Sequence, residues 1–296
     1  MKFHSFTELG NLEFPNQMER KYQKIKSLVT ENIQSQERGL DMARVRGFFE
    51  NYTLKVPEIV VTDYQGLSQM KKIFEENNYM VGFDSYLNNI GTYLPEIEIV
   101  VVNRHHKLSS NILTLEEVNG SIAVEGFIVH EVAHGTASLC GFCPGPETPH
   151  ISRTGFWERG NQNEDIGAFW EEGFAEYMRV KFLESSETHI PQGMMISPDD
   201  EIRLPLKFSV MNELKEPQVF DSSIAGYALE CLCNMEPLLL AKLIASRKSE
   251  SNRDDCINFI ESRWEGLYSS LKSVNPTYNG FKDALQKILI LVKNEK

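Results

Sequence analysis

The stretch Phe127-Ile-Val-His130-Glu131-Val-Ala-His134-Gly135 constrains this chain more than any other. It is an apolar run that reads as a buried helix, and it holds two histidines four residues apart. On a helix such residues sit one above the other, so His130 and His134 can aim two imidazole nitrogens at a single metal ion. Glu131, one step round from the first histidine, is then placed beside the ion's open coordination position, where a bound water needs a base. The pattern is incomplete without a third ligand.

The 296 residues suffice for one large two-lobed domain or two small ones, and the proportions of apolar and charged residues are those of an ordinary globular protein. A formal net charge of -12 argues against nucleic-acid or anionic-membrane partners, because both require clustered Lys and Arg. The first residues, Met1-Lys-Phe-His-Ser-Phe, lack a signal-peptide core, and no apolar run is long enough to span a bilayer, so the expected location is the cytoplasm. Five cysteines without an export signal do not make a disulfide framework, and Cys140, Cys143, Cys231 and Cys233 read as structural thiols.

Taken in order, the pattern predicts a helix starting at Asn16, with Tyr22, Ile25, Leu28, Val29 and Ile33 on one face until Gly39, and a second through Val45, Phe48 and Phe49. Pro57 to Thr62 reads as a strand, Leu67 to Phe74 as a helix, and Glu96 to Asn103 as the strongest strand signal. Thr114 with Glu117 suits a short helix, and Ser121 suits the cap of the helix carrying His130, which should end near Leu139 or Cys140. Gly141 to Asp165 is a long irregular stretch of the kind that shapes a cleft, after which Asp165 caps a helix carrying Glu172 and Glu176 on one face. Residues 186–219 read as loop with a hairpin. Periodic segments at Ile224–Cys233, Pro237–Ile244, Ile257–Leu271 and Phe281–Val292 then predict a helical C-terminal part, giving an α+β chain.

A carboxylate from a second helix is one way to complete two histidines, and Glu172 meets this need. Here the sequence resembles the gluzincin metallopeptidases. His130-Glu-Val-Ala-His134 is similar to their metal-binding helix, and Trp170-Glu-Glu172-Gly-Phe-Ala-Glu-Tyr177 is similar to the Asn-Glu-Gly-Phe-Ala segment of the group that includes the M1 aminopeptidases. The resemblance implies a zincin-like two-lobed fold: residues 1–52 as a helical extension, 53–140 as an α/β lobe with the active-site helix, and 141–296 as a mainly helical lobe, together one catalytic domain. It implies Zn2+ held by His130, His134 and Glu172, with Glu131 as general base.

Glu176 matches a position whose acidic residue holds a ligand histidine, against the alternative of a plain surface carboxylate. Glu171, about 100° round the helix from its neighbour, reads as surface. Gly-x-Met-Glu-Asn, which holds a substrate's free amino group in the M1 enzymes, is absent. The resemblance makes the strand ending at Asn103 the edge along which an extended substrate pairs. For the proton donor to the oxyanion, Tyr227 is the first choice, although the family's tyrosine position is occupied by Ser223, and His150 and His189 are rivals. His105 and His106, adjacent at a strand end, point to opposite faces and do not chelate together. The function expected is zinc-dependent hydrolysis of a peptide or protein substrate. The alternative is an inactive protease-like module that binds peptide or a partner; oligomeric state stays open.

Overall fold

The computed structural model describes residues 13–79, 91–94, 96–104, 118–140, 165–186, 192–196, 202–211, 217–245, 250–271 and 277–295. Its first half runs α1 (Glu13–Asn32), α2 (Met42–Glu50), β1 (Glu58–Thr62), α3 (Tyr64–Glu76), β2 (Gly91–Leu94), β3 (Ile99–Asn103) and α4 (Val118–Cys140). The three strands form one sheet in the order β1-β3-β2, with β1 parallel and β2 antiparallel to β3. Alternation along the strands divides the interior. Val60, Ile99 and Val101 face a core built with α1 and α3. Ile59, Val61, Val100 and Val102 face a larger core built with α2, α4 and the helices that follow. Residues of α1 and α2 are thus integral to both cores: Ile25 and Val29 cover one face, and Val45 and Phe49 the other.

This architecture corrects the expectation that β3 is the substrate edge. β3 is the middle strand, with both of its backbone edges paired. The strand also starts later than the β-branched run suggests, because Glu96–Glu98 makes the turn back from β2, with Glu98 at φ 53°. A strand apolar on both faces, as Ile99–Val102 is, belongs in the interior of a sheet. With β1, β2 is one of the two outer strands of this sheet among the described residues. It lies along α4, where Gly91 faces Glu131 and Gly135 faces the Tyr93 ring and Pro57. A two-residue step on a strand and a four-residue step on a helix both advance roughly 6–7 Å, so the two elements stay in register.

The second half comprises α5 (Asp165–Ser185), a hairpin of β4 (Met194–Ile196) with β5 (Arg203–Pro205), a 3-10 turn at Leu206–Phe208, and the short pair β6 (Val210–Met211) and β7 (Pro217–Gln218). Helices α6 (Asp221–Met235), α7 (Leu239–Ala245), α8 (Glu250–Arg263), α9 (Leu267–Leu271) and α10 (Tyr278–Asn294) follow. The single segment expected at Ile257–Leu271 is two helices, broken where Gly266 adopts φ 76°. Helix α1 extends three residues upstream of Asn16, and the proposed cap at Ser121 lies inside α4.

α5 is buried nearly all round: Phe169, Trp170, Phe174, Met178 and Phe182 are fully enclosed. It packs against α6 at Gly173, where an added Cβ would stand 2.9 Å from the Ala225 carbonyl oxygen. On the far side of α4, buried Glu125 accepts a hydrogen bond from the Asp41 backbone at 2.7 Å and pairs with Arg44, tying α2 down. Among the described residues no helix is long and apolar enough to cross a membrane. Residues 105–117 and 141–164, which include His105, His106, Cys143, His150 and the proposed short helix at Thr114, lie outside the described residues, as does His189.

Candidate metal centre

Helix α4 buries Val124, Ile128, Val129, Val132, Ala133 and Ala137 almost completely. Its remaining face presents His130 and His134, whose side chains are only 14% and 13% exposed. Helix α5 crosses this face. Its pairings with α4 run in opposite directions along the chain, His130 with Glu176 and His134 with Glu171, so the two helices are antiparallel.

Between those pairs Glu172 reaches both imidazoles, with Oε2 at 3.5 Å from His130 Nε2 and Oε1 at 3.5 Å from His134 Nε2. The two Nε2 atoms are 3.2 Å apart. Ligand atoms held about 2.0–2.1 Å from a tetrahedral ion are separated from one another by roughly 3.3 Å, so the spacing of the two nitrogens is that of one edge of such a coordination shell, with a carboxylate oxygen beside each. His130, His134 and Glu172 form a group able to hold a metal ion.

The opposite ring nitrogens explain why both Nε2 atoms face Glu172. His130 Nδ1 is 3.3 Å from Glu176 Oε2, and His134 Nδ1 is 3.2 Å from Glu171 Oε1. A carboxylate only accepts, so each Nδ1–H donates; once the proton on the other side of the ring is given up, each Nε2 offers its lone pair, the tautomer a metal ligand needs. Glu176 is therefore a histidine-orienting residue. Glu171 corrects the sequence reading: it sits against His134 and is not a free surface side chain. Regular spacing points to Glu176 because it lies one turn after Glu172; Glu171 becomes visible only once the antiparallel crossing is known.

Burial is the largest influence on each site group. It pushes the Glu131 carboxyl above the usual range, with Glu172 and Glu171 adding to the rise and the two imidazoles opposing it. For Glu172 burial acts upward too, but His134 and His130 outweigh it and the net direction is down. For Glu176 burial is likewise outweighed, by Arg179 and His130. His130 is driven down by burial and raised by Glu172 and Glu176, which win and carry it to about 10. His134 follows the same pattern, with Glu172 first and then Glu171.

Asp221, the first residue of α6, was not singled out by its sequence. Burial and the Glu172 charge both raise its carboxyl, which brings the start of α6 into the electrostatic reach of the site. Tyr227, the expected proton donor, is partly buried. It lies further along α6, its ring 5.7 Å from that of Phe208, and burial together with Cys231 pushes its hydroxyl up to about 12. Ser223 is buried, with its Oγ accepting from the Phe220 backbone at 3.3 Å. Cys231 and Cys233 are buried and in no disulfide.

Comparison with protein-family models, with curated proteins and with solved structures finds no match to this chain.

Proposed function

We propose that this protein is a zinc-dependent peptidase of gluzincin type, with the zincin-like two-lobed arrangement that such a reading entails. The observation that carries the reading is the convergence of two Nε2 atoms and the Glu172 carboxylate at 3.2–3.5 Å, with both Nδ1 atoms turned to carboxylates. Two neutral nitrogens and one oxygen are a donor set that suits zinc and leaves a fourth position open. Bound zinc supplies a Lewis acid for a carbonyl and acidifies a water from about 16 towards ~7.

Glu131 is the base that takes the proton from the attacking water and returns it to the leaving nitrogen. Its Cγ lies under Gly91, so the base stands beside an outer strand of the sheet. An extended peptide pairing along β2 would carry its carbonyls past the site, because backbone pairing fixes a strand's height over its neighbour. The edge assigned to β3 from the sequence thus passes to β2.

The test is metal content combined with cleavage. Purified protein should contain one equivalent of zinc and cut a peptide library in a chelator-sensitive way. Glu131→Gln should keep the zinc and lose nearly all cleavage, whereas His134→Ala should lose both. Zinc without cleavage of any peptide would favour a binding module; absence of zinc would remove the peptidase reading altogether.

A further inference from the structure

Arg179 lies one turn beyond Glu176 on α5 and touches neither histidine nor Glu172. Even so, it is only 6% exposed, and nearly all its hydrogen bonding is spent on one partner. Its Nε donates to Glu176 Oε2 at 2.7 Å and its Nη2 to Glu176 Oε1 at 2.5 Å. The same Nη2 reaches the Lys207 carbonyl oxygen at 3.3 Å, and the guanidinium lies 6.0 Å from the centre of the Phe127 ring on α4. A two-pronged pairing of this kind fixes the plane of a carboxylate as well as its position.

The carboxylate so fixed has little freedom of its own. Glu176 is 2% exposed and fits between α5 and α6 only because Gly226 has no side chain: a Cβ there would stand 2.6 Å from Glu176 Cγ. Oε2, which accepts from Arg179 Nε, is also the atom that faces His130 Nδ1. The second histidine is served differently. Glu171 is 34% exposed and pairs with no Lys or Arg among the described residues, so solvent takes the role that a buried cation takes for Glu176.

We propose that Arg179 is a positioning residue of the metal centre, acting on His130 through Glu176. The inference rests on the zinc reading above. Burying a carboxylate without a counter-charge is unfavourable, and a carboxylate that lost its fork would turn towards other donors and release the His130 ring. The ring's Nε2 would then leave the edge of the coordination shell. A helix-stapling role for the same ion pair makes a different forecast: lower stability with unchanged metal affinity.

The test measures zinc affinity by competition with a chromophoric chelator, beside thermal melts of the metal-free proteins. Arg179→Met is expected to weaken zinc binding by about 10–100-fold, the usual consequence of removing an outer partner of a ligand. Arg179→Lys keeps a cation and loses the fork, and is expected to be weaker than wild type by roughly threefold or more. In a Glu176→Gln background Arg179→Met should add less than about twofold, because its route to His130 is already cut. Wild-type affinity in Arg179→Met overturns the proposal and leaves the metal centre standing. Should that variant fail to fold, wild-type affinity in Arg179→Lys overturns it equally. A wild-type protein that binds no zinc ends both readings together.

Discussion

At the scale of single residues, the site is a matter of which nitrogen each imidazole offers. Glu171 and Glu176 take one side of each ring, and Glu172 collects the other. If Glu171 orients His134, Glu171→Ala should weaken zinc binding by about 10–100-fold. Its partial exposure means that the stability of the metal-free protein should change by no more than roughly 0.5 kcal/mol. Zinc titrations and denaturant melts on the same preparation check both halves, and unchanged affinity would return Glu171 to the surface role its sequence suggests. The candidate ligand group was legible because His130 and His134 obey spacing within one helix and Glu172 a known ligand chemistry. Glu171 was not: projecting it 100° from Glu172 treats α5 alone, while the residue it meets depends on the direction in which α4 crosses. Nothing in the spacing of α6 tells that the Tyr227 ring lies beside that of Phe208.

Among elements, the decisive contact is between α4 and β2. Gly135 permits it at one level, where an added Cβ would stand 2.6 Å from Pro57 Cγ and 2.9 Å from the Tyr93 ring. Gly135→Ala should therefore cost about 1–3 kcal/mol of stability by overpacking, read from denaturant melts. Gly91 permits the contact one step along, where the obstructing atom is Glu131 Cγ at 2.7 Å. There a methyl displaces the proposed base and leaves His130, His134 and Glu172 in place. Gly91→Ala should keep one equivalent of zinc and lose most of its cleavage, and full activity would show that Glu131 has room the geometry denies. The β-branched run at Ile99–Val102 made β3 legible as a strand. Its place in the middle was also written there, in apolar residues on both faces, but Gly91–Leu94 is too short and too weakly patterned to announce the neighbour that takes the edge.

A metal at this site would matter to the whole molecule. Glu131, Glu171, Glu172 and Glu176 gather around two imidazoles with Arg179 as their buried cation, in a chain already carrying a net charge of -12. An ion shared by α4 and α5 joins the two helices that run through the larger core, and binding confined to the folded state adds its free energy to folding. With zinc about a thousandfold above its dissociation constant the gain is about 4 kcal/mol. At ~2–4 °C per kcal/mol for a domain of this general size, chelation should lower the melting temperature by roughly 10 °C. Glu131→Gln should show the same drop, since the base is no ligand, and His134→Ala should show none.

The dependence should weaken in acid. Glu172 and Glu176 hold His130 up to about 10 in the metal-free protein, so at neutral pH zinc must displace a proton to bind. Falling pH then favours the protonated, metal-free form, by about tenfold in affinity per pH unit for each proton displaced. The chelator-induced shift should accordingly shrink from pH 8 to about pH 6 at a fixed total zinc concentration. A melting temperature indifferent to chelator at every pH would mean that the three ligands, however well placed, are held together by the fold alone.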